Sequence, residues 1–143
     1  MIATDLGELK AYIVVLEAKK RPRIYLIEDV AFVNAHHRVA EMVTDMAGRH
    51  ARPTAKAWTA PIADDHNIQL ETERRLLNEI AFHIKHIIDE NDHQGVWLAA
   101  HKEMHRQLLD ELPHQTRAMI EKELPRDLVK ADKFELLEQF WNP

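Results

Sequence analysis

Cysteine is absent from this 143-residue chain, which removes disulfides, thiolate nucleophiles and cysteine-ligated metals together. Glycine occurs only three times, at Gly7, Gly48 and Gly95. Three glycines cannot build the loop that cradles a nucleotide phosphate or a dinucleotide, and no serine nucleophile elbow is present. No run of 18 apolar residues occurs, so nothing in the sequence is long enough to span a bilayer. The opening Met1-Ile2-Ala3-Thr4-Asp5 has no basic region ahead of an apolar stretch, so a cytoplasmic protein without a secretory signal is expected. Nor is there an overall basic charge: 19 Lys and Arg against 24 Asp and Glu leave −5, a balance that disfavours a dedicated nucleic-acid binder.

What is present fits one ordinary globular domain over residues 1–143, with 45% hydrophobic and 30% charged residues. Charge is unevenly spread. Between Asp64 and Asp92 eight acids face three bases, whereas Lys19-Lys20-Arg21-Pro22-Arg23 carries four cations, and Arg49, Arg52 and Lys56 surround His50. Such local patches govern encounter with a polyanion more than the total does.

The first thirty residues read as β structure. Leu9, Ala11, Ile13 and Val15 alternate with Lys10, Tyr12 and Val14, and Arg23 to Val30 is rich in β-branched and aromatic residues. With a short strand at Ile2 to Thr4 this makes a three-strand antiparallel meander, its hairpin turning between Glu17 and Pro22. From about 36 to 65, Gly48, Pro53 and Pro61 interrupt regular structure, predicting a long irregular loop. A long helix follows, capped by Asp64-Asp65 and carried by Leu70, Leu77, Ile80, Ile84 and Ile87 at helical spacing. Val96 to Ala100 is a continuously apolar central strand. A helix over Lys102 to Leu112, a strand over Gln115 to Glu121 (where helix is also tolerated) and a helix over Lys130 to Trp141 complete the order β-β-β-α-β-α-β-α.

Four pieces of the chain carry a family resemblance: Thr4-Asp5-Leu6-Gly7-Glu8-Leu9-Lys10-Ala11-Tyr12, Val43-Thr44-Asp45-Met46-Ala47-Gly48-Arg49, Leu98 through Leu109, and Leu124-Pro125-Arg126-Asp127-Leu128-Val129-Lys130. In that order and spacing they resemble the bacterial host-attachment family, which is similar to the middle domain of archaeal and eukaryotic peptide-chain release factors. The resemblance implies an α/β fold, RNase H-like, with a mixed five-stranded sheet flanked by helices. It also implies docking on the ribosome or RNA. Release factors hydrolyse peptidyl-tRNA through a Gly-Gly-Gln tip; the corresponding loop here reads Ala47-Gly48-Arg49-His50-Ala51-Arg52, so a non-catalytic protein is expected.

Three chemical constellations can be weighed from the residues. Lys19, Lys20, Arg21, Arg23, Arg49, Arg52 and Lys56 would contact phosphates, with Tyr25 or Trp58 available to stack on bases. A two-metal nuclease would need converging carboxylates, for which Asp5 with Glu73 or Glu79 is the candidate set, although Asp5 ahead of Gly7 also suits a turn. His101 and His105, four apart on one helix face, match zinc-ligand spacing but lack a third ligand and a His-Glu-x-x-His motif. His101 follows a central strand, where open α/β sheets tend to bind ligands. The expectation is therefore no cofactor, no resident metal and no membrane, with RNA or the ribosome as partner. A protein-interaction module or homodimer, built on the apolar last helix through Trp141, is the alternative, and a metal-dependent hydrolase the third reading.

Overall fold

The computed structural model describes residues 1–32 and 61–142, with side chains of the long helix from residue 66. The meander forms as its periodicity requires. β1 (Ile2–Thr4) pairs antiparallel with β2 (Glu8–Val15), and β2 pairs antiparallel with β3 (Arg23–Ala31). β4 (Val96–Ala100) then lies parallel to β1, and β5 (Ile120–Leu124) lies parallel to β4. The sheet runs β3-β2-β1-β4-β5, mixed and five-stranded. Because β1, β4 and β5 point the same way, their carboxyl ends share one edge of the sheet, and the β2–β3 hairpin turns at the other.

β4 is dry on both faces, with Val96, Leu98, Ala99 and Ala100 all buried. On one face the long helix α1 (Pro61–Glu90) and α2 (Lys102–Glu111) cover Ile2, Leu9, Ala11 and Leu98, with Leu77, Ile80, Ile84 and Met104 facing inward. On the other, α4 (Lys133–Trp141) sets Leu136, Leu137 and Phe140 against Ala3, Tyr12, Ile24 and Ala99. No described helix is long and apolar enough to cross a membrane.

Four expectations need correction. Pro61 does not break structure; it opens α1, because a first-turn proline gives up no needed N–H and its fixed φ suits the helix. Asp64 and Asp65 therefore lie inside the first turns rather than at the cap. The strand expected from Gln115 begins only at Ile120, and residues His114–Ala118 form the short helix α3. The reason is register: Val96↔Ile120 is the first pair between β4 and β5, so residues before Ile120 have no strand to join. Their backbone turns instead, with Arg117 N donating to the Pro113 carbonyl. The last helix starts at Lys133, capped by Asp132, whose Oδ1 accepts from Phe134 N at 2.8 Å. The remainder of the long loop lies outside the described residues.

β3 is an edge strand and is blunted as such. Tyr12 pairs with Leu26 but Ala11 with Glu28, so Ile27 is an extra residue, a bulge that interrupts the edge available to another chain.

Candidate functional site

Four of the proposed phosphate-contacting cations, Lys19, Lys20, Arg21 and Arg23, gather at the β2–β3 hairpin. Lys19 has φ = 65°, the left-handed conformation that tightens the turn. Glu17 is the local counter-charge, accepting from Lys20 Nζ at 2.5 Å and from Arg23 Nη2 at 2.7 Å. Among the described residues Lys19 and Arg21 have no ion-pair partner. Four cations against one carboxylate leave the tip at +3. The register opposes Ile13 to Tyr25 and Val15 to Arg23, which puts Tyr25 and Arg23 on one face of the arm. Tyr25 is 50% exposed there, and an exposed tyrosine is the residue type that stacks on bases. Arg49, Arg52, Lys56 and Trp58 lie outside the described residues.

The opposite sheet edge is acidic. Thr4 and Ala100 are the last paired residues of β1 and β4, so Asp5 and His101 emerge side by side, with His101 N donating to the Thr4 carbonyl at 3.3 Å. Around them lies a cleft of about 630 Å³ whose wall includes Glu8, Glu73, Glu103, Asp127 and Lys130. Five carboxylates against one lysine leave it strongly negative. Glu73 joins Asp5 in this wall, whereas Glu79 does not.

Each candidate in the cleft already has a structural duty. Asp5 Oδ1 accepts from Gly7 N and Glu8 N, both at 2.7 Å, closing the β1–β2 turn. The buried Thr4 hydroxyl sits 3.0 Å from the carbonyls of Asp5 and Glu8 and ties the same turn from inside. His101 caps α2: its Nδ1 accepts from Glu103 N at 3.3 Å, so in the neutral ring the proton rides on Nε2. His105 faces elsewhere, its Nε2 3.7 Å from Glu123 Oε2 on β5, beyond hydrogen-bond reach and otherwise unpartnered among the described residues. Among the described residues no three His, Asp or Glu side chains gather as a metal site.

Sequence reading missed Glu8, Glu103, Asp127 and Lys130. The signal was the strand ends themselves: ligand clefts in open α/β sheets sit beyond the carboxyl ends of parallel strands, and these residues follow β1, β4 and β5. On α4, the two outward aromatic rings are each covered by a cation. Lys133 lies 5.3 Å from the Phe134 ring and Lys122 lies 5.9 Å from that of Trp141.

The chain is thus a mixed α/β domain with a basic, tyrosine-bearing arm at one edge of its sheet and an acid-lined cleft at the other. The family model described as "Protein required for attachment to host cells" matches residues 5–140, nearly the whole chain, and the protein belongs to that family. No curated protein and no solved structure matched it.

Proposed function

We propose that this host-attachment family member is a non-catalytic, cytoplasmic, release-factor-like domain that docks on RNA or the ribosome through its β2–β3 hairpin. The mixed five-stranded sheet with helices on both faces supports an RNase H-like assignment and kinship with release-factor middle domains. The observation that carries the binding reading is the hairpin: a net +3 tip, with two cations that have no ion-pair partner among the described residues and an exposed tyrosine beside them. Phosphate contacts by Lys and Arg supply affinity, and the ring offers a stacking platform. The acidic cleft at the far edge repels the same polyanion, so approach is favoured from one side only.

The protein-interaction reading keeps one specific support, the exposed apolar side chains of Ile13, Val15 and Leu16 on the arm. The hydrolase reading has less: Asp5 and His101 hold local backbone, and among the described residues no gathered ligand set stands ready for two metal ions.

Titration of a labelled single-stranded RNA, and co-sedimentation with ribosomes, at increasing salt test the proposal. Three phosphate contacts predict a log–log slope of about −2, and Lys19/Lys20/Arg21→Glu should abolish binding. Affinity indifferent to salt, or untouched by the triple reversal, would exclude the hairpin as the interface.

A further inference from the structure

A second concavity, of about 490 Å³, lies at the hairpin end of the sheet, and its origin is the shortness of β1. β1 is the middle strand, yet it has only three residues, whereas β2 runs on from Ala11, the partner of Ile2, as far as Val15. On the other side β4 starts at Val96, ahead of Leu98, which is its partner to Ile2. In line with β1, therefore, β2 and β4 face each other two strand spacings apart, roughly 9.6 Å. Among the described residues no strand stands between them there.

The backbone shows what this slot is shaped to take. Met1 N donates to the Tyr12 carbonyl at 2.9 Å and Tyr12 N to the Met1 carbonyl at 2.8 Å, so Tyr12 turns its peptide groups toward β1. Alternate residues of a strand face the same neighbour. Val14 thus points its N–H and C=O into the slot, while Ile13 and Val15 pair with Tyr25 and Arg23 of β3. On β4, His101 N donates to the Thr4 carbonyl, and the same alternation aims Trp97 N–H into the slot from the opposite side. Among the described residues neither the Val14 nor the Trp97 N–H has a partner. Facing edges at this separation are satisfied together by one extended backbone.

The side chains agree. Ile13, Val15, Ile87 and Ile88 line the α1 side of the slot, and Val14 and Trp97 line the α4 side. A strand laid between them would send successive side chains into apolar surroundings on both faces, as central strands do. Charge selects further. Asp92 and Glu121 line the concavity, and none of its described lining residues is Lys or Arg. Glu121 is the extra residue of a bulge in β5 and lies against Gly95, where a Cβ would collide with its carboxylate. An acidic segment is repelled here and a basic one attracted.

We propose that this slot is a strand-addition site for an extended, apolar peptide segment of another protein, bearing a basic residue and lying in line with β1. Its pairing with Val14 and Trp97 continues the β1–β2 and β1–β4 ladders already in the sheet. The proposal goes beyond RNA binding and does not rest on it. None of Lys19, Lys20, Arg21 and Arg23 lines the slot, so Lys19/Lys20/Arg21→Glu should remove RNA binding and leave peptide binding in place.

Amide hydrogen exchange and fluorescence anisotropy test it. The probe is a fluorescein-labelled hexapeptide of valines and isoleucines with a lysine at each end. In the protein alone, Val14 and Trp97 amides should exchange faster than those of Ile13 and Val15; saturating peptide should slow both at least about tenfold. The same peptide with N-methylated amides keeps its side chains but loses its donors, and should bind at least about tenfold more weakly, as should a version ending in aspartates. Ile13→Lys, at a position already 36% exposed, should weaken binding similarly with native circular dichroism. Val14 and Trp97 amides as protected without peptide as Ile13 and Val15 would show the slot filled by the chain itself and overturn the proposal. So would absence of binding, equal affinity for the N-methylated peptide, or protection appearing instead at Ile24 and Leu26 on the outer edge of β3.

Discussion

Asp5 is worth more to its turn than its charge suggests. Accepting two backbone N–H bonds at 2.7 Å, it satisfies donors that the β1–β2 turn leaves without a strand partner. Asp5→Ala should cost about 1–2 kcal/mol in chemical denaturation, whereas Asp5→Asn, which keeps the acceptor oxygen, should stay within about 0.5 kcal/mol. Equal losses in both variants would show that the negative charge, and not the turn, is what matters. Lys19 permits a cleaner separation of stability from binding. Glycine adopts its left-handed backbone without strain, so Lys19→Gly should leave folding stability unchanged or slightly raised. The same change should flatten the salt slope of RNA binding by about 0.7.

Tyr12 and Lys10 set an alkaline limit. Burial of Tyr12 pushes its phenol above the usual range, since the phenolate cannot be hydrated there. Lys10 is raised chiefly by its hydrogen bond to Glu8, with Nζ–Oε1 at 3.0 Å. Both groups hold their protons more tightly folded than unfolded. Their contribution is complete below about pH 10 and falls as pH climbs past the ordinary tyrosine and lysine values. Melting temperature against pH should therefore drop above about pH 10, and Tyr12→Phe should soften the drop.

At the scale of elements, α1 divides into a face that holds the fold and a face that does not. Ile84 is wholly buried, and Ile84→Ala should cost about 2–5 kcal/mol by calorimetry. Phe82, 67% exposed, should cost less than about 0.5 kcal/mol on truncation to Ala. That division was legible in the sequence because isoleucines at helical spacing have one sensible face, and the alternation of β2 and the unbroken run of β4 were legible for the same kind of reason. Residues 114–119 were not. Gln115, Thr116, Arg117 and Ala118 tolerate either state, and what decides between them is where β5 meets β4, a long-range register. Pro61 misled in the other direction, since a proline reads alike whether it ends a loop or opens a helix. The hairpin cations were visible as a run, but the acidic cleft draws on positions 5, 8, 73, 103, 127 and 130. Only the parallel order of β1, β4 and β5 brings those positions to one edge.

For the whole molecule, the sheet acts as a spacer between unlike ends. β2 reverses direction relative to β1, so its carboxyl end carries the basic turn to one edge while β1, β4 and β5 deliver carboxylates to the other. A net charge of −5 therefore conceals a cationic tip, and total charge is a poor guide to what this domain meets.

Among the described residues that separation sets the hairpin cations and the cleft carboxylates at opposite ends of the sheet, with a practical corollary. With the hairpin as the RNA-facing end proposed above, the cleft faces away from the bound polyanion. A dye attached through Glu103→Cys or Asp127→Cys would ride on the trailing side and report arrival without standing in its way.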